Sequence, residues 1–237
     1  MGKNLTQQKR GKGSPTYTVP SFRFKGKTQN HNKGAAKVLD IVNDQGHSAP
    51  LLEVEYEDKT KGLIVAPEGI KVNDILVQGE KADIKTGNSL FLKDIPEGIQ
   101  IFNIELKPGD GGKFVKASGM TARIVSKSKS KITIQLPSKK QKEFHPDCKA
   151  TIGIVAGSGR PEKPYLKAGI KFKVMKARNK YWPSVSGTSM NSVDHPFGGS
   201  KSSHKGRPKN APKNAPPGRK VGSIRPRQTG RNKGKRK

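Results

Sequence analysis

Cysteine and long apolar runs are nearly absent from this chain, and both absences limit what it can be. Cys148 is the single cysteine among 237 residues, so no internal disulfide is possible and a reducing compartment is expected. No apolar run approaches the ~18 residues that span a bilayer. The N-terminus is basic but lacks the apolar stretch of a signal peptide. We therefore expect a soluble intracellular protein that has no membrane partner.

Acidic residues are almost missing from the two ends of the chain. Residues 1–34 contain eight lysines and arginines but no acid, and residues 178–237 contain sixteen against the single acid Asp194. These two arms hold +23 of the net charge of +30. Such arms predict a polyanionic partner, and a nucleic-acid backbone is the first candidate. Residues 178–237 have one Ile, three Val and no Leu, which predicts extended arms that are disordered until bound.

The middle of the chain has the two-residue period of β-strands. Leu52, Val54 and Tyr56 alternate with glutamates, which predicts a strand with one solvent-exposed face. The same pattern or short apolar runs predict further strands over 62–65, 75–77, 90–92, 102–106, 120–125, 132–136 and 150–155. A polar hairpin loop is predicted at 126–131. No apolar 3.6-residue pattern persists for ten residues, so long helices are not expected. The predicted fold class is mainly β, with two tandem small barrels and long extended basic arms.

Three motifs resemble chemical sites but fit structural roles better. His145 and Cys148 have a metal-like spacing, but a zinc site needs more such ligands, so we expect Cys148 to pack as a small apolar residue. The glycine-rich stretch 107–113 lacks the Lys-Ser ending of a phosphate-binding loop, so we expect a turn whose N–H groups could still contact a phosphate. The stretch 157–159 places Ser158 between glycines without matching a nucleophile elbow.

The downstream arm contains two unusual stretches. Trp182, next to Tyr181, either stacks on a base at ~1–3 kcal/mol or docks the start of the arm onto the second barrel. Residues 187–199 are uncharged apart from Asp194, although they lie inside a basic arm. His195 could act there as a general base. We favour instead a folded loop whose Asn, His and backbone amides bind RNA edges and phosphates.

Residues 190–199, which read Met-Asn-Ser-Val-Asp-His-Pro-Phe-Gly-Gly, resemble the signature of the universal large-subunit ribosomal protein two family. The stretches 95–109, 148–153 and 163–169 are similar to other segments of that family in the same order, and 215–222 resembles its archaeal and eukaryotic branch. The resemblance covers nearly the whole chain. Phe197 departs from the family pattern because bacterial relatives usually have histidine there, and Ser186 departs because the family often has arginine.

The resemblance implies an oligonucleotide-binding-fold barrel followed by an SH3-like barrel. We accordingly expect an N-terminal extension at 1–34, the first barrel at 35–90, the second at 91–177, and a C-terminal extension at 178–237 that carries the signature loop 187–199. It implies a structural constituent of the large ribosomal subunit, in the cytoplasm, and not an enzyme. Such a protein binds 23S rRNA near the peptidyl transferase centre and supports assembly, subunit association, tRNA binding and peptide-bond formation.

The implied partners are 23S rRNA, neighbouring large-subunit proteins and the small subunit through an inter-subunit bridge. No cofactor is expected, apart from magnesium associated with the rRNA. Arginines would serve as bidentate phosphate forks, and paired glycines would let the backbone approach RNA closely. The expected rRNA contacts are Arg10, Lys12, Arg23, Lys25, Arg178, Trp182, Asn191, His195, Gly198, Gly199, Lys205, Arg207, Arg219, Lys220 and Arg227.

Two alternatives remain open at this point. In one, His195 is an acid/base participant in peptidyl transfer. In the other, the chain is a DNA-condensing basic protein, a role that needs only charge and does not need the nearly uncharged loop 187–199.

Overall fold

The computed structural model describes residues 2–18, 24–30, 34–79, 82–199 and 209–227. The chain divides into two compact units, which we call the β unit (Ser21–Leu166) and the arm unit (Met1–Pro20 with Lys167–Lys237). No helix among the described residues is both long and apolar enough to cross a membrane. The elements in chain order are α1 (Thr6–Gly11), β1 (Gly34–Val42), β2 (Leu51–Tyr56), β3 (Lys61–Val65), β4 (Ile75–Gln78), β5 (Ser89–Phe91), β6 (Gln100–Phe102), β7 (Ala122–Lys127), β8 (Ile132–Gln135), β9 (Gln141–Phe144), β10 (Lys149–Ile152), α2 (Ala168–Ala177), β11 (Asn210–Ala211) and β12 (Ser223–Ile224).

One ten-stranded sheet forms the β unit, in the order β3-β2-β1-β4-β5-β10-β6-β7-β8-β9. Neighbouring strands of the sheet are antiparallel, except that β4 and β5 pair in parallel at Gln78 and Ser89. The side chains of β1–β4 enclose one hydrophobic core, and those of β5–β10 enclose a second that begins at Ala82. The fold is therefore mainly β with two barrel-like halves, as the sequence predicts.

Alternation of apolar and polar residues marks the strands correctly where one face of the sheet is buried. In β2, Leu52 and Val54 are fully buried, whereas Glu53 and Glu55 are partly exposed. Strand β9 was missed because three of its four residues are polar and only Phe144 enters the core. Residues 104–106 are not a regular strand: Ile104 makes an isolated bridge to Phe114.

Cys148 lies in the second core with no exposed surface. Burial raises the pKa of its thiol to about 11, so the sulfur stays protonated and unreactive at neutral pH. Cys148 therefore packs as a small apolar residue, as predicted.

The segment 24–30 belongs to the β unit although the sequence assigns it to a basic extension. Asn30 is buried, and its Nδ2 donates to Ser89 Oγ at 3.0 Å and to Thr151 Oγ1 at 3.1 Å. Its Oδ1 accepts from Asn103 Nδ2 at 2.9 Å. A buried amide costs free energy unless it is hydrogen-bonded, and these three bonds fix the segment to the sheet.

Two short helices lie in the arm unit, and the sequence did not predict them. Helix α1 falls in the N-terminal extension, and α2 falls within residues 91–177, which the sequence assigns to the second barrel. Helix α2 buries no side chain, so it lacks the apolar stripe by which a helix is recognised. Leu5, just before α1, is buried, and its N–H is capped by Gln8 Oε1 at 2.8 Å. Elsewhere the described arm residues are mostly without regular secondary structure.

Candidate nucleic-acid interface

Residues 187–199 of the arm unit form a compact loop that is closed by its own backbone. After a 3-10 turn at Gly187–Ser189, the N–H of Gly198 donates to His195 O at 2.8 Å and the N–H of Gly199 to Met190 O at 3.3 Å. The Asn191 carbonyl accepts from the N–H groups of residues 194 and 195 at 3.0 and 3.2 Å. These bonds fix the loop without any charged side chain, so its shape is set before a partner is bound.

Two glycines let backbone segments on opposite sides of this loop approach each other closely. A Cβ on Gly187 would lie 2.4 Å from the His195 ring, and one on Gly198 would lie 2.2 Å from the Asn191 carbonyl oxygen. Both distances are too short for any side chain. Gly198, which was expected to allow close approach of RNA, is thus required by the closure of the loop itself, whereas Gly199 has open space around it.

The His195 side chain is held in one orientation by the loop. Its Nδ1 accepts the backbone N–H of Phe197 at 3.0 Å, and the two rings lie 5.1 Å apart. Since Nδ1 is an acceptor, the neutral ring carries its proton on Nε2. Phe197 packs against His195 and approaches Gly222. The imidazole therefore acts first as a structural part of the loop.

Distant parts of the chain surround the loop. The N–H of Lys3 donates to Val193 O at 2.8 Å, and its Nζ lies 3.5 Å from Asp194 Oδ1. On another side, β11 and β12 pair in parallel, and a Cβ on Gly222 would lie 2.9 Å from the Phe197 ring. Asp194, the single acid of residues 163–237, is thus paired with a lysine from the opposite end of the chain.

Two polar clefts open beside the His195 ring. One of about 170 Å³ is lined by residues that include Arg10, Tyr181 and His195. The other, of about 250 Å³, is lined by residues that include Lys3, His195 and Gly218. The loop therefore presents backbone and small polar groups between cationic side chains, which is the chemistry of an RNA-binding surface.

The structure brings most of the expected rRNA contacts into the arm unit. Among these contacts the exposed ones are Arg10, Lys12, Asn191, Gly199, Arg219, Lys220 and Arg227, and the partly buried ones are Arg178, Trp182, His195 and Gly198. Lys25 lies in the β unit instead, with its Nζ 3.6 Å from Glu53 Oε1. Arg23, Lys205 and Arg207 lie outside the described residues.

Sequence reasoning missed three side chains of this interface. Lys3 pairs with the loop acid, Phe197 supports His195, and Tyr17 lies under the Arg10 guanidinium at 5.8 Å. A lone acid in a basic arm was the available signal for an ion pair, but its partner lies almost two hundred residues away. Local sequence patterns do not encode such a contact.

The glycine-rich turn at 107–113 does not offer its N–H groups to a phosphate. Glu105, buried in the β unit, accepts from the N–H of Gly109 and of Gly111, each at 3.1 Å. Asp110 Oδ2 accepts from the N–H of Leu106 and Lys107 at 3.0 and 3.3 Å. Internal carboxylates occupy the nest, so the stretch is a turn. Among the described residues, no group of three or more His, Cys, Asp or Glu could hold a metal ion.

Comparison with known proteins relates the chain to proteins of the ribosome. Residues 85–217 match the family model described as Ribosomal Proteins L2, C-terminal domain. The large ribosomal subunit protein uL2 of Archaeoglobus fulgidus is 49% identical over 234 residues, which cover 97% of this chain and 99% of that protein. The proteins of the same description from Methanocaldococcus jannaschii and Haloarcula marismortui are 49% and 48% identical, with 97% and 98% of this chain covered and 99% and 98% of those proteins.

A mainly β fold joined to a basic, nearly acid-free unit has the charge distribution of the class of nucleic-acid-associated proteins. The chain belongs to the uL2 family of large ribosomal subunit proteins. The family resemblance read from residues 190–199 is thereby confirmed, including its archaeal type. This family is one of ribosomal constituents and not of enzymes.

Proposed function

We propose that this protein binds 23S rRNA through its arm unit as a structural constituent of the large ribosomal subunit. One observation carries the proposal: the loop 187–199 is closed by its own backbone and stands between cationic side chains in a unit with almost no acid. Arginines and lysines supply affinity for phosphate, while a preformed loop of backbone and small side chains supplies shape recognition. The names of the relatives support the same role.

The family resemblance supports a more specific placement. We propose that the protein lies near the peptidyl transferase centre and supports subunit assembly, subunit association, tRNA binding and peptide-bond formation without catalysing it. Its partners would be 23S rRNA, neighbouring large-subunit proteins and the small subunit through an inter-subunit bridge. Magnesium ions would belong to the rRNA phosphates and not to a site built by the protein.

Competition between RNA and DNA tests the proposal. The full-length protein is titrated with 23S rRNA fragments and with random duplex DNA at two salt concentrations. We expect tighter binding to one rRNA fragment, with a preference that persists at the higher salt because shape recognition is screened less than charge. Equal affinity for both polymers would reject the proposal and favour the DNA-condensing alternative.

A substitution at Gly198 separates loop shape from charge. Gly198→Ala places a Cβ 2.2 Å from a backbone oxygen, so the loop must open, and we expect the preferred rRNA fragment to bind at least ~10-fold more weakly. Gly169→Ala is the matched control, because a Cβ there meets nothing within 4 Å. Identical loss in both variants would show that the loop shape is not what binds RNA.

His195 is tested by His195→Ala in reconstituted large subunits. Because its Nδ1 is engaged by the loop, we propose that it positions the loop and does not transfer protons. We expect either a normal rate of the chemical step or an assembly defect. A slower chemical step in fully assembled subunits would instead support acid/base participation.

A further inference from the structure

An aromatic groove of about 220 Å³ lies beside helix α2 in the arm unit, and of its lining residues Tyr181 also lines the cleft beside His195. Its lining includes Phe172, Tyr181 and Trp182 together with Thr16, Lys176 and Lys180. Phe172 is 48% exposed and Tyr181 38% exposed, and Trp182 is partly buried. Exposed aromatic rings gathered in one groove are unusual on a soluble surface and mark a binding site.

The groove is built by the way α2 ends. Asn179 has the left-handed φ of 48°, its N–H donates to Lys176 O at 3.1 Å, and the N–H of Lys180 donates to Met175 O at 2.9 Å. This is the Schellman motif, which turns the chain sharply after a helix. The turn sets Tyr181 and Trp182 beside Phe172 of the helix.

The N-terminal arm closes one wall of the groove. Asn179 Nδ2 donates to Pro15 O at 3.0 Å, and the rings of Tyr17 and Tyr181 lie 6.4 Å apart. The groove is therefore fixed from both sides before any partner is present. Such preorganisation reduces the entropy that a ligand must lose on binding.

The charge around the groove selects an anionic occupant. Residues 163–193 contain seven lysines and arginines and no acid. Lys176 and Lys180 line the groove, and Lys171 Nζ lies 5.3 Å from the centre of the Trp182 ring. Aromatic rings between cations are the feature by which proteins hold single-stranded nucleic acids, since each base stacks while its phosphates meet lysines.

We infer that this groove binds an unpaired nucleotide of the large-subunit rRNA. Its base stacks on the ring of Trp182, Phe172 or Tyr181, and its phosphates lie against Lys176 and Lys180. Bases in a duplex present no exposed face to such rings, so the groove selects single-stranded RNA. The inference rests on the proposed rRNA-binding function and adds to it a second contact, of a different kind from the signature loop.

Trp182 is the only tryptophan of the chain and therefore reports on the groove directly. The full-length protein is titrated with a single strand of eight uridines and with a duplex RNA that carries the same number of phosphates. We expect the single strand to quench Trp182 fluorescence and the duplex to leave it nearly unchanged. Equal quenching by both, or quenching by neither, overturns the inference.

Matched variants locate the effect within α2. Phe172→Ala is expected to weaken binding of the uridine strand roughly 10-fold, while Ile170→Ala, an exposed residue of the same helix outside the groove, leaves it unchanged. Likewise, Lys176→Gln is expected to weaken binding more than Lys173→Gln, which removes the same charge outside the groove. Equal effects within both pairs overturn the inference.

Two results keep this inference separate from the proposed function. If the uridine strand fails to bind in the groove while one 23S rRNA fragment is still preferred over duplex DNA, only the groove inference falls. If neither RNA is preferred, the rRNA-binding function falls as well. In intact subunits, photocrosslinks from Trp182, which lines the groove and not the cleft beside His195, should join rRNA nucleotides, and crosslinks to a protein instead would overturn the inference.

Discussion

Single carboxylates decide several local structures in this protein, and Glu105 is the clearest case. Its side chain is 2% exposed and accepts three backbone N–H groups, from Gly109, Gly111 and Lys149, at 3.1, 3.1 and 2.9 Å. The carboxylate joins the glycine-rich turn to strand β10. A pattern of alternating residues treats position 105 as an ordinary polar residue, so its burial could not be predicted from the sequence.

Substitution of Glu105 by glutamine tests this role. Glu105→Gln keeps the shape but replaces one acceptor oxygen by an NH₂ group that faces backbone donors, so we expect a loss of about 2–4 kcal/mol in the free energy of unfolding. Urea denaturation measures it. Glu143→Gln, which removes an exposed carboxylate paired with Lys131, should change stability much less, because solvent screens an exposed pair. Equal effects would show that the three hydrogen bonds do not stabilise the turn.

Asp44 makes stability depend on pH. Burial opposes ionisation of its carboxyl, but hydrogen bonds from the His47 ring and from the backbone N–H of Lys25 outweigh it and hold the pKa below its usual 3.8. A depressed pKa in the folded state stabilises the protein above the unfolded-state pKa, and this stabilisation is lost as pH falls through the folded-state value.

We therefore expect Asp44→Asn to reduce the free energy of unfolding by about 1–3 kcal/mol near pH 6. The difference from the parent protein should shrink as pH falls below about 3.8. Denaturant titrations at several pH values measure it, with Asp83→Asn as the control, because that carboxylate is exposed in its pair with Lys85. A difference that does not depend on pH would contradict the assignment.

At the scale of secondary structure, the end of α2 shows how one residue places several others. Asn179 has the left-handed backbone of the Schellman turn, and its side-chain amide donates hydrogen bonds to the carbonyls of Pro15 and Thr18. Asparagine tolerates this backbone better than other residues that have a side chain. The helix end and the N-terminal arm thus depend on the same side chain.

Two substitutions at Asn179 separate these contributions. Asn179→Gly keeps the turn and removes the side-chain hydrogen bonds. Asn179→Ala also removes these hydrogen bonds and adds about 1 kcal/mol of backbone strain. We expect both variants to expose residues 12–18 to proteases, and only the alanine variant to change Trp182 fluorescence strongly. Equal fluorescence changes in the two variants would show that the Schellman turn does not position Trp182.

Strands were easier to predict than helices for a physical reason. In a strand with one buried face, apolar and polar residues alternate along the sequence, as at Leu52 and Val54 in β2. Helix α2 buries no side chain, and β9 has a single buried residue. Elements without a buried face leave no periodic signal.

At the scale of the whole molecule, the distribution of charge separates binding strength from binding specificity. Removal of residues 228–237 takes away five lysines and arginines. The slope of log K against log salt for 23S rRNA should therefore become shallower by up to about 3.5–4.5. A full-length variant with the same five residues changed to glutamine should give the same result. If only the deletion changes the slope, charge in this segment does not contact phosphate.

The sequence by itself determined the mainly β fold, the basic arms, the family and the loop 187–199 as a special segment, because each of these is written in composition, alternation or a contiguous motif. Only the tertiary structure decided that Lys3 meets Asp194, that Gly198 serves loop closure, and that Phe172, Tyr181 and Trp182 share one groove. It also decided that backbone N–H groups of the glycine-rich turn donate hydrogen bonds to the carboxylates of Glu105 and Asp110. These contacts join residues through space, and a local pattern along the chain carries no record of which distant group will be its neighbour.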